Sequence, residues 1–151
     1  MHKLTLLLLA LISSLFSLSL APAPKSYVQS LVMLRGTPYE TLNCSEYICV
    51  ASRHRLCQAA DFWDNGCDGD AVVVQDVARF EDIDTSKLHP GDVVAFHRVH
   101  VGAFVGNGVW MDSHFRHNGV GTMQPNHRHG GWFFGEVKIL RWKNFSSWES
   151  R

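Results

Sequence analysis

The stretch Val99-His100-Val101-Gly102-Ala103-Phe104-Val105, followed at once by Gly106-Asn107-Gly108, leaves the chain few structures to adopt. Its side chains alternate with the period of a β-strand. Val99, Val101, Ala103 and Val105 share one face, which is expected to be core. His100, Gly102 and Phe104 share the other. The glycine-bounded turn sends the chain back through Val109-Trp110-Met111-Asp112-Ser113-His114, so the two runs form a hairpin. A turn at Pro90-Gly91-Asp92 precedes a further strand over Asp92–Phe96, and Glu136–Trp142 supplies a fourth.

The first half has a different period. Tyr27, Val28, Leu31, Val32 and Leu34 recur at helical spacing over 25–34, with Gly36 as the expected C-cap. A second helix is predicted from Cys44 to about His54, with Asn43 as its N-cap. Arg55 to Trp63 is expected to form a short third helix. The loop Asp64–Asp70 is acidic, but its ligand positions do not match a calcium-binding helix–loop–helix and no Glu closes it, so it reads as a polar turn. Ala71 to Phe80 is ambiguous between strand and helix. Helices first and strands second predict an α+β domain, its helices on one side of an antiparallel sheet.

The 151 residues open with Met1-His2-Lys3 and an apolar, Ser-rich run to Ala21, which predicts a secretory signal peptide over 1–21. That run is too short and too Ser-rich for a stable membrane anchor. Residues 22–151 are expected to form one domain with one core. Lys and Arg total 14, as do Asp and Glu, and removing Lys3 leaves 13 against 14. A near-neutral balance argues against nucleic acid as a partner. Export places the chain in a periplasm or outside the cell, where disulfides form. Of the four cysteines, Cys57 and Cys67 are the pair expected to bridge, and Cys49 belongs inside the second helix.

Cys44 at a helix N-terminus lies where unpaired N–H groups favour a thiolate. The bland alternative is a small core cysteine. If the Cys44 helix packs across the His100 face, thiol and imidazole meet, and that pair suffices for nucleophilic acyl transfer. His97, at a strand end beside Arg98, reads as a solvated turn residue. A third group should orient the imidazole. A three-residue turn pairing Val105 with Val109 puts His114 opposite His100 and Asp112 on the diagonal. Diagonal neighbours are about 7–8 Å apart at the backbone, still within side-chain reach, so register leaves Asp112 and His114 both open. His114, His117, His127 and His129 suggest zinc, but Arg128 opposes a cation, so loop histidines and no metal are expected.

Four ordered pieces resemble the NlpC-type cell-wall cysteine peptidases: Gly36-Thr37-Pro38-Tyr39, Asn43-Cys44-Ser45, Pro90-Gly91-Asp92-Val93-Val94-Ala95-Phe96 and His100 through Gly108. The resemblance spans nearly all of 22–151. It implies a papain-like fold and an enzyme that cuts peptidoglycan stem peptides without a cofactor. Cys44 would be the nucleophile, His100 the base and Asp112 the third residue, with Tyr39, Asn43 and Ser45 lining the substrate cleft. The expected bond is the one between D-glutamate and the diamino acid. Asn43 and Glu46 depart from the family's usual Asp and Gly, which touches specificity more than catalysis. Alternatives are a papain-like module that only binds wall peptides or a protein, and a secreted amidase directed at competitors' walls.

Overall fold

The computed structural model describes residues 26–124 and 133–144. The leader 1–21, His127, His129 and Trp132 lie outside the described residues. Three helices, α1 (Tyr27–Met33), α2 (Cys44–Ser52) and α3 (Ala59–Gly69), precede six strands. These are β1 (Ala71–Val77), β2 (Val93–Phe96), β3 (His100–Gly106), β4 (Val109–His114), β5 (Gly119–Thr122) and β6 (Val137–Trp142). They form one sheet in the order β1-β6-β2-β3-β4-β5, with every neighbouring pair antiparallel. The α+β class is as expected, as is the segregation of helices.

Local chemistry sets the helix ends. The Ser26 side chain accepts the Gln29 N–H and starts α1. Leu34, not Gly36, is its C-cap; Gly36 lies two residues on, at φ +84, and gives its N–H to Val120 O at 2.9 Å. Helix α2 stops at Ser52 because Arg53 turns left-handed, φ 54. The third helix runs later than its periodicity suggests. It begins after Gln58, includes Asp64 and Asn65, and breaks at Gly66, Cys67 and Asp68, which are all left-handed. The expected polar turn is therefore only the second half of 64–70. Cys57 and Cys67 are bridged, with Cα atoms 5.7 Å apart.

Ala71–Val77 resolves as a strand, which pairing with β6 makes possible. Strand β5 was not expected. It is four residues long with two glycines, and it exists because β4 offers it a ladder from Met111 to His114. Asn118, left-handed at φ 60, turns the chain into it.

Both faces of the central strands β2 and β3 are buried, which corrects the single-core-face reading of β3. Val101, Ala103, Val93, Ala95, Met111 and Leu140 pack with Leu31, Tyr47, Ile48 and Phe62 of the helices. Phe104, Phe96, Val94, Trp110 and Ile139 pack on the opposite side, under Ile83 and Leu88 from the connector after β1. Val99 precedes the strand and is half exposed. Asp92, itself buried, ties β2 to β6 through Arg141, whose Nε and Nη2 reach its oxygens at 2.8 and 2.7 Å. Among the described residues, no helix is long and apolar enough to cross a membrane.

Candidate active site

Asn43 does the work of an N-cap in full. Its Oδ1 accepts the N–H groups of Ser45 and Glu46, each at 3.0 Å, and the Ser45 hydroxyl. Glu46 Oε2 accepts the Asn43 N–H at 2.8 Å, which completes a capping box. This reciprocal lock fixes the first turn of α2 and with it Cys44, which exposes 7% of its surface. Asn43, Ser45 and Glu46 are thus spent on the helix end. Of the expected cleft residues, Tyr39 alone takes no part in the cap. It packs edge-on to Phe115 with ring centroids 6.2 Å apart. Burial, with the charges of Cys44 and Glu46, pushes its phenol up.

Helix α2 belongs to the cluster on the Val101/Ala103 face, not the His100 face. Thiol and imidazole meet nonetheless, because each sits at the end of its element. Cys44 opens α2 and His100 opens β3. The imidazole is fully buried. Phe96 and Phe133 wall it, at centroid distances of 6.1 and 5.4 Å. Burial lowers its proton affinity, but hydrogen bonding by the imidazole to Asp112 and to the Cys44 sulfur, with the charges of both, outweighs this and raises the pKa to about 9.

The hairpin keeps the expected register in its body, Gly102 facing Asp112. Its turn closes differently, with Gly106 opposite Val109 and an irregularity at Val105. The choice between third residues is made by contact: His100 Nε2 is 2.7 Å from Asp112 Oδ2. His114 lies 5.4 Å away between ring centroids and serves a different purpose. Its Nδ1 accepts the Arg116 N–H at 3.0 Å, capping the short 3-10 helix Phe115–His117.

That role has a pH signature. Burial, then the charge of His100, pushes His114 down to about 4. An unfolded histidine titrates near about 6.5, so between these values the unfolded chain binds a proton that the folded chain refuses. The stability His114 contributes is complete above that upper value and is lost as pH falls toward 4. His100 has the opposite sign: its contribution is complete below its unfolded value and is lost as pH rises through about 9. His114→Phe, which keeps the stacking on Phe115 and Phe133, is expected to flatten the fall in urea midpoint between roughly pH 7 and 5. A midpoint that falls as steeply as in the parent protein would contradict this assignment.

Three contributors escaped the sequence reading. Ser113 Oγ donates to Leu42 O and ties the loop before Cys44 to β4. Phe133 closes over His100. His117 Nε2 stands 3.2 Å from Asp112 Oδ1. Asn118-Gly119, a strong hairpin dipeptide, was the available signal for the last of these. His97 sits in its turn at φ 50, bonded through Nε2 to Phe134 O at 2.7 Å, away from the thiol. The ligand atoms of His54, Cys57 and Cys67 lie within 4.8 Å of one another. The two sulfurs are bonded to each other, so neither is the thiolate a metal would take.

No family model matches the chain, and neither the curated proteins nor the solved structures give a significant match.

Proposed function

We propose that this chain is an exported papain-like cysteine peptidase of the NlpC type, acting in a periplasm or outside the cell on amide bonds of peptidoglycan stem peptides. The observation that carries the reading is the fully buried His100, bonded to Asp112 through Nε2, with the Cys44 sulfur near enough to raise its pKa. With Nε2 engaged by the carboxylate, Nδ1 is the ring atom left for sulfur.

In the proposed reaction His100 takes the thiol proton and Cys44 Sγ attacks the amide carbon. The oxygen becomes an oxyanion. Asn43 occupies the N–H groups of Ser45 and Glu46, which leaves the Cys44 N–H as the first-turn donor for that charge. The imidazolium then protonates the departing amine, the C–N bond breaks and a thioester remains. Water, losing a proton to His100, attacks the thioester, releasing the acid and returning the thiol. Asp112 holds the tautomer and stabilises the imidazolium throughout. The bond between D-glutamate and the diamino acid is the expected cut.

Digestion of purified peptidoglycan by the protein and by Cys44→Ala, read by mass spectrometry, tests this. New stem-peptide fragments are expected from the parent protein alone. No cleavage by either, with Cys44 reduced and the fold intact, would sink the wall-peptidase reading.

A further inference from the structure

Asp112 faces two imidazoles. One of its oxygens is bonded to His100; the other, Oδ1, is buried and has no well-aligned hydrogen bond among the described residues. His117 Nε2 lies 3.2 Å from that oxygen, and the His117 side chain keeps 36% of its surface in solvent. The sheet is cut away to allow this. The register partners of Asp112 are Gly102 on β3 and Gly121 on β5. A Cβ at Gly121 would come 3.2 Å from His117 Cδ2 and 3.5 Å from its Nε2. At Gly102 it would come 3.4 Å from the Asp112 Cβ and 3.0 Å from Met111 O. Any side chain at Gly121 would crowd the ring that covers Oδ1.

We propose that His117 is a positioning residue for the Cys44–His100–Asp112 set, its Nε2–H donated to Asp112 Oδ1 so that the carboxylate stays turned toward His100. The proposal rests on the cysteine-hydrolase reading. A buried carboxylate with one partner is free to rotate; a second donor opposes this. The ionisable groups around His117 are Asp112 and His114 on β4, the latter 5.6 Å away between ring centroids, and Arg116 beside it in the chain. Strand β5 brings none, although Arg35 is bonded to its Thr122. His100 lies across the carboxylate.

The rate of Cys44 alkylation by iodoacetamide, followed from acid to neutral pH by peptide mapping, tests the role without any substrate. Mapping also separates Cys44 from the second free thiol, Cys49. His100→Ala is expected to slow Cys44 alkylation relative to the parent protein. His117→Ala is expected to move the acid limb up by about one pH unit, a roughly tenfold slower reaction on that limb. His117→Gln, which keeps a donor, is expected to recover most of the loss. Thermal unfolding of both variants checks the fold, which an exposed position should leave intact. Superimposable profiles for His117→Ala and the parent, or equal shifts in the Ala and Gln variants, would overturn the role of His117 while leaving His100 in place. A His100→Ala profile that matches the parent would remove the underlying hydrolase reading instead.

Discussion

Asp112→Asn is expected to slow the proposed peptidase reaction by about ten-thousandfold at neutral pH, the loss that follows when the orienting carboxylate of a Ser-His-Asp triad is replaced by its amide. The physical cause is the 2.7 Å contact between Asp112 Oδ2 and His100 Nε2, made where both side chains are excluded from water. The carboxylate does two things there. It accepts the Nε2 proton, so Nδ1 is presented to the thiol, and it compensates the charge of an imidazolium that burial alone would disfavour. Asparagine keeps the volume but carries no charge, and its amide can present N–H groups to Nε2 and invert the tautomer. The pH at which His100 loses its proton should fall well below about 9, seen as early loss of the imidazolium signal by NMR. A variant within fivefold of the parent rate would mean that Asp112 is structural and that another group orients His100.

Gly119→Ala should have the largest effect on stability, about 3 kcal/mol or more in urea denaturation. Gly119 has φ +127, and an added Cβ would land on the Thr37 carbonyl oxygen and come 2.9 Å from the Pro38 Cα. Both obstacles are backbone, so no rotamer change relieves them. The clash would separate β5 from the Gly36–Pro38 loop, now held by the Val120 N–H on Thr37 O and the Gly36 N–H on Val120 O, each at 2.9 Å. Gly108→Ala is the control. Gly108 also has a positive φ, +72, but its Cβ would meet nothing within 4 Å, and the cost should stay near 1 kcal/mol. Equal costs at the two positions would show that strain, not the close approach, governs Gly119.

Much of this molecule was legible locally. The β3–β4 hairpin and the Asn43 cap depend on residues a few positions apart, and the chain adopts both, with the turn closed on Gly106 opposite Val109 in place of the expected Val105. The Cys57–Cys67 bridge was readable because the loop between them is short. Where two local signals conflicted, as over Ala71–Val77, the partner strand decided, and that partner arrives more than sixty residues later.

By itself, the sequence determined the α+β class, the place of Cys44 at a helix start and of His100 on a strand. It also narrowed the third residue to Asp112 or His114. Only the tertiary structure decided that α2 covers the Val101/Ala103 face, that both faces of β2 and β3 are buried, that Asp112 and not His114 takes the His100 Nε2, and that the 3-10 turn between β4 and β5 sets His117 against the same carboxylate. The reason is physical. Periodicity and capping report which way a side chain leaves its own backbone. Which element comes to meet it depends on how β6 inserts between β1 and β2 and on where helices of limited length end, and those are long-range packing choices that no short window contains.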